Sequence, residues 1–112
     1  QRMLQVRNHL AQYELHAARY YIKREAFIAA ANRAAQVVKR FPNTPATEDA
    51  LIMMVELYNE LGLHSQKDDA LAVLKASFPK GKGFDEEQNF VPQNELKQSR
   101  SLLSVLSFGF ID

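Results

Sequence analysis

Displaced by 37 residues, the sequence falls back on itself: Leu15 meets Ile52, Ala18 meets Val55, Tyr21 meets Tyr58, Ala34 meets Leu71, Val37 meets Leu74, Phe41 meets Phe78 and Pro42 meets Pro79. A period of that length restricts the chain to architectures in which one supersecondary unit stacks on the next. Over residues 4–78 the apolar positions recur at helical spacing, and Ala, Leu, Glu, Gln, Lys and Arg dominate with almost no β-branched clusters. Four helices are expected. The first runs from Leu4 to Arg24 and the second from Glu25 to Phe41, where Pro42 forbids continuation. Thr44 can cap the third, with Pro45 at its first position and Glu48 and Asp49 near the positive end of its dipole. That helix should end near Gly62; Ser65, with Asp68 three residues on, can cap a fourth that Pro79 closes.

A small residue, a Tyr three positions later, and a second amphipathic helix ending in aromatic-Pro make up the tetratricopeptide pattern, here in a unit slightly longer than the usual ~34 residues. The expected fold is all-α: two tetratricopeptide-like helical hairpins, residues 1–42 and 43–79, forming part of an α-solenoid. Neither hairpin can bury its apolar face alone, so the stack presents a surface rather than a deep pocket. After Pro79 the composition shifts to Lys80-Gly81-Lys82-Gly83 and then Asp85-Glu86-Glu87-Gln88-Asn89, which reads as a flexible linker over 80–94. Asn94 can cap a short helix in the apolar segment 95–112, which is expected to dock on the last repeat as a cap or on a partner. With 112 residues, 46% of them hydrophobic, the chain suffices for one core. The start Gln1-Arg2-Met3-Leu4 has no initiator Met or signal-peptide character and reads as a cut from a longer chain.

Composition excludes several chemistries. There are no cysteines, which removes disulfides, thiolate-ligated zinc, Fe–S clusters and thiol nucleophiles. His9 and His16 share a helix face but lie about 10 Å apart along the axis, too far to share a metal ion; no metal or cofactor is expected. The net charge of +1 hides an asymmetry: residues 1–43 carry eight bases against two acids, while the remainder carries six against eleven. The basic half is suited to an acidic partner surface, although two solvated faces that offset one another would give the same count. Nucleic acid is disfavoured by the low total charge and the lack of a reading motif.

On the first helix, Val6, Leu10, Ala17, Ala18 and Tyr21 form one face, and His9, Tyr13, His16 and Tyr20 recur on another. Two adhesive faces need two partners: the second helix for one, and for the other either a preceding repeat or bound protein, or else the third helix or the tail. Arg7 and Glu14 fall on the face with Leu10 and are expected to be structural polar residues, hydrogen-bonded or ion-paired. No second carboxylate, nucleophile–base pair or phosphate loop accompanies Glu14, so no catalytic residue is assigned. On the second helix, Arg33, Arg40 and Gln36 lie within about 60° of one another at 100° per residue, beside the stripe Ala30, Ala34, Val37 and Phe41. Two arginines on an exposed ridge suit bidentate capture of a carboxylate, with a phosphate as the rival ligand.

The run Arg7-Asn8-His9-Leu10-Ala11-Gln12-Tyr13-Glu14-Leu15-His16-Ala17-Ala18-Arg19-Tyr20-Tyr21, followed by Ala31-Asn32-Arg33 and by Phe41-Pro42-Asn43-Thr44-Pro45-Ala46-Thr47-Glu48-Asp49-Ala50-Leu51, resembles the C-terminal repeats of the BamD (ComL) family. The likeness covers about residues 4–79. It implies a non-enzymatic five-repeat scaffold at the periplasmic face of the Gram-negative outer membrane, held there by an N-terminal lipid outside this sequence. The implied role is support of outer-membrane protein folding and insertion within the β-barrel assembly (BAM) complex. Its late repeats would dock the POTRA domain of BamA and contact other lipoproteins of the complex, with unfolded outer-membrane proteins as further ligands. Arg33, in the Asn32-Arg33 pair, matches the family's docking arginine, and Gln36 and Arg40 lie beside it. An alternative is a generic peptide-binding module whose groove uses Tyr13, Tyr20 and Tyr58. Residues 80–112 depart from the family pattern, and no function carries over to them.

Overall fold

The computed structural model describes residues 2–87 and 89–91, and its regular structure is four helices: α1 (Arg2–Lys23), α2 (Phe27–Arg40), α3 (Pro45–Leu61) and α4 (His64–Ser77). Each packs on the next in chain order, and α1 also meets α3, which makes two helical hairpins stacked side by side. The core between them is built from Ala11, Leu15, Ala18 and Ile22 of α1, Ala30, Ala31, Ala34 and Val37 of α2, and Ala46, Ala50, Met53 and Leu57 of α3. Alanines on all three helices let the backbones approach closely, and Leu15, Val37 and Met53 fill the space between them.

The 37-residue period is written into the backbone. Past α1, Glu25 adopts φ 61°, and past α3 its equivalent Gly62 adopts φ 74°. The Ala26 amide then donates to the Tyr21 carbonyl, and the Leu63 amide to the Tyr58 carbonyl, both at 2.9 Å, while Glu25 donates to Ile22 and Gly62 to Asn59. This is one Schellman-type termination used twice. At the far ends of α2 and α4, Phe41 and Phe78 cap the helices with matching dihedrals, donating to the carbonyls of Val37 and Leu74.

The hairpins are joined through a buried hydroxyl network. Thr44 caps α3 as its sequence position implied, but its reciprocal partner is Thr47. Thr47 Oγ1 accepts from the Thr44 amide at 3.1 Å and donates to the Phe41 carbonyl at 2.6 Å, so the last turn of α2 and the first turn of α3 share one set of bonds. Asn43 supplies the left-handed residue at this corner, φ 65°, a conformation that its short polar side chain tolerates.

Four expectations about the helices need correction. The buried stripe of α1 is Ala11–Leu15–Ala18–Ile22, rotated by about 100° from Val6 and Leu10, which are more than half exposed, because α2 and α3 both approach that side. The His9–Tyr13–His16–Tyr20 stripe is not covered by α3: Tyr13 is 75% and Tyr20 53% exposed, and both histidines are exposed. Helix α2 begins two residues later than expected, since Glu25 is consumed by the left-handed turn. Ser65 does not cap α4; the helix starts at His64 directly from the Schellman turn, with no side-chain cap.

Beyond α4, composition suggested a flexible linker over 80–94, whereas residues 80–87 and 89–91 fold back on the second hairpin. Phe84 and Phe90 form an isolated antiparallel bridge and pack, with Phe78, on Leu51, Ile52 and Leu74. Asp85 shapes the turn by accepting from the amides of Glu87 and Asn89 at 2.9 and 2.8 Å, an Asx turn. Gly83 is buried because the chain passes so near that a Cβ would sit 3.0 Å from Leu74 Cδ2. Lys82 pairs with Asp49 of α3. The expected docking of 95–112 as a short helix lies outside the described residues.

The matched turns can be tested against each other. Glu25→Gly should stabilise the protein by about 0.5–1 kcal/mol, by removing the penalty of a left-handed non-glycine residue, and Gly62→Ala should cost about 1 kcal/mol; urea denaturation monitored by circular dichroism measures both. Phe84→Ala or Phe90→Ala should each cost about 2 kcal/mol in the same assay, whereas a true linker would register no change.

Candidate functional site

Helix α2 turns Ala30, Ala34 and Val37 inward, which leaves Asn32, Arg33, Gln36 and Arg40 exposed along its outer side. Helix α1 runs beside it, with Glu14 and Tyr21 two turns apart along its axis and on the adjoining side. Between the helices lies an open groove of about 270 Å³ lined by Glu14, Tyr21, Ala29, Asn32, Arg33, Gln36 and Arg40. The structure thus gathers the four residues expected to bind a partner into one place, and adds Glu14, which had been expected only to be structural.

Arg33 links the two helices that line the groove. Its Nη1 donates to Glu14 Oε2 at 3.1 Å, and its guanidinium carbon stands 6.0 Å from the centroid of the Tyr21 ring. Arg33 is 46% exposed and Glu14 22%. The hydrogen bond to Glu14 first, and then the contact with Tyr21, raise the guanidinium's pKa above its ordinary value. A base that gains partners on folding keeps its proton below its raised pKa, so Arg33 is a fixed positive charge at every pH the protein meets. Its five N–H donors are arranged as a fork, and the contact with Glu14 uses one nitrogen.

Arg7 reaches across to the C-terminal end of α2, where its Nη2 donates to the Arg40 carbonyl at 3.4 Å. This contact sets a cation at the negative end of the α2 dipole. The three tyrosines of the alternative groove fare differently. Tyr58 is half-buried against the core, whereas Tyr20 is exposed, its hydroxyl accepting from Arg24 at 2.8 Å with the Arg24 guanidinium 5.4 Å from its ring centroid. Tyr13 stands exposed, and none of the three lines the groove beside Arg33.

Tyr21 and Ala29 belong to the groove but were not singled out as binding residues by sequence. The signal that could have found the site is the repeat register. Glu14 and Arg33 align with Leu51 and Ala70, both buried, so a charged pair occupies positions that the second repeat fills with apolar side chains. Among the described residues there is no cluster of three or more histidine, aspartate or glutamate side chains able to hold a metal ion, and no helix is long and apolar enough to cross a membrane.

Paired helical hairpins of tetratricopeptide type, with a polar groove open to solvent, define a protein of the helical-repeat class. The chain belongs to the YfiO family, described as outer membrane lipoprotein, whose model matches residues 1–74. Its relatives carry the name outer membrane protein assembly factor BamD, as the resemblance implied. The Haemophilus influenzae protein is 37% identical over 76 residues, covering 68% of this chain and 29% of its own. The Pasteurella multocida protein is 37% identical over 98 residues (87% and 37%), and the Vibrio cholerae protein 44% over 62 residues (55% and 26%). The chain therefore spans between about a quarter and two fifths of the length of these relatives. No solved structure gives a significant match.

An exposed ion pair contributes little to folding. Arg33→Ala should therefore leave the thermal unfolding midpoint unchanged within error, measured by circular dichroism, in contrast to the core and turn variants above.

Proposed function

We propose that this chain is the C-terminal repeat portion of an outer-membrane protein assembly factor, acting within the BAM complex at the periplasmic face of the Gram-negative outer membrane. Its α1–α2 groove docks the POTRA domain of BamA, supporting folding and insertion of outer-membrane proteins. The observation that carries the reading is the convergence of Asn32, Arg33, Gln36 and Arg40 on one groove beside Glu14. Arg33 anchors a carboxylate of the partner, which a planar two-pronged donor recognises better than a point charge would. Arg40 and Gln36 extend the contact along the ridge. Other lipoproteins of the complex and unfolded outer-membrane proteins are further ligands of the whole assembly factor, and its hold on the membrane comes from an N-terminal lipid.

The rival reading, a peptide groove made by Tyr13, Tyr20 and Tyr58, draws support from the exposure of the first two. It is weakened by Tyr58, which the core already engages. Calorimetric titration of the chain with a purified BamA POTRA domain, at low and moderate ionic strength, separates the readings. Binding should weaken with salt and fall about thirtyfold or more in Arg33→Glu, as expected for an arginine hot spot facing an acid, with circular dichroism unchanged. Retained affinity in that variant, with loss in Tyr13→Ala and Tyr20→Ala, would transfer the function to the tyrosine face.

A further inference from the structure

We propose that Glu14 is a positioning residue of the docking groove: its carboxylate holds the Arg33 guanidinium against Tyr21, so that the arginine fork is ordered before the partner arrives. The inference rests on the docking reading above and assigns a role to a residue that the reading does not use.

The first support is the internal comparison that the repeat provides. At the equivalent level of the second hairpin the chain places Leu51, 1% exposed, and Ala70, 5% exposed, and the hairpin folds with the same turns and caps. A charged pair at this level is therefore not something the hairpin needs in order to form. Exposed as it is, the pair is also a poor source of stability. Its presence in the first repeat, in the lining of the groove, calls for an explanation other than folding.

The geometry supplies one. Glu14 engages a single nitrogen of Arg33, at 3.1 Å, and Tyr21 stands beside the guanidinium. A carboxylate acting as a competitor for the site would cover the fork with both oxygens; Glu14 holds one prong, Tyr21 lies against the guanidinium as a second neighbour, and the fork keeps further donors for another acceptor. A long side chain held by two neighbours loses less rotamer freedom on binding than one free in water, and preorganisation of this kind raises affinity without adding a contact. Glu14, the less exposed of the two, is the fixed member, and Arg33 is the member presented to solvent.

Glu14→Leu tests the proposal with the residue that the second repeat already carries at this position, so the fold should tolerate it. Affinity for the POTRA domain should fall about tenfold, within the range of coupling energies for residues in direct contact, while the unfolding midpoint stays unchanged. Glu14→Gln keeps an oxygen acceptor for Nη1 and should recover part of the loss. In an Arg33→Ala background, Glu14→Leu should have no further effect, because its influence passes through the arginine. Nitrogen relaxation of the Arg33 Nε–H group in the chain without partner should report a rigid side chain in the wild type and a mobile one in Glu14→Leu. Equal or tighter binding by Glu14→Leu would make Glu14 a competitor and overturn the proposal. So would an undiminished effect without Arg33, or an Arg33 side chain equally mobile in both proteins. Failure of the docking reading looks different: the wild type would not bind, or Arg33→Glu would bind as well, and the relaxation comparison would still decide whether Glu14 positions Arg33.

Discussion

Two hydroxyls set the relation between the hairpins, and everything built on the stack depends on it. Thr44 and Thr47 are almost fully buried, 2% and 5% exposed, so their polar atoms must find partners inside the protein. They find them in one another and in the Phe41 carbonyl, an acceptor that the last turn of α2 leaves without an intrahelical donor. One network therefore ends α2 and starts α3. Because each buried bond has a definite direction, the network fixes the exit angle of the chain more tightly than apolar packing could. That angle decides how Ala46, Ala50, Met53 and Leu57 meet the core of the first hairpin. It also decides which side of α2 stays open to become the groove.

A solenoid must also stop. Wherever repeats stack, the last one presents to water the apolar face that a further repeat would have covered. Here Leu51, Ile52 and Leu74 form that face, and the segment after α4 covers it with Phe84 and Phe90. Counting 37 residues on from Ala46 and Met53 reaches Gly83 and Phe90, so the loop stands where the next helix would have begun. Gly83 takes the place of a small helical residue and lets the backbone lie close to Leu74, and the phenylalanines supply the bulk that a helix would have brought. Closing the end in this way uses few residues and leaves the basic ridge of α2, in the other hairpin, untouched.

The helices, their order and the period between them were legible in the sequence because they follow from spacing: apolar residues at helical intervals, prolines at the ends, and one pattern repeated. The ridge of Arg33, Gln36 and Arg40 was legible for the same reason, since its position follows from helical geometry, whereas Asn32 came in only with the family resemblance. What spacing cannot show is where a neighbouring element approaches. The buried stripe of α1 was misplaced because Val6 and Leu10 are as apolar as Leu15, and only the arrival of α2 and α3 distinguishes them. The loop was misread because Lys-Gly-Lys-Gly is the composition of a linker, whereas here the glycines serve close approach, a use that composition does not distinguish from flexibility. Glu25 hid its role for a comparable reason: nothing in a glutamate advertises a left-handed backbone, and only its alignment with Gly62 does.

That alignment points to a way of finding function in repeat proteins that needs no second sequence. Positions that serve the fold are under the same physical demand in every repeat, so they agree: Leu15 with Ile52, Ala18 with Val55, Val37 with Leu74, all of them buried. A position where one repeat is charged and the other apolar breaks that agreement and marks a candidate, which the geometry around it must then support. Exposed positions vary freely and carry no such information. Glu14 and Arg33 are informative because their counterparts, Leu51 and Ala70, are buried, so the first repeat has given up an apolar contact to admit them. Breaks of this kind also occur in the other direction, where the buried Ala11, Ala30 and Ala31 align with Glu48, Lys67 and Asp68; Glu14 and Arg33 fall at one level of one hairpin, touching each other, where α1 and α2 part to form a groove. Meeting is not enough by itself, since Asn59 and Lys67, which align with the buried Ile22 and Ala30, also meet at 3.1 Å; what distinguishes Glu14 and Arg33 is that their contact lines the same groove as Asn32, Gln36 and Arg40.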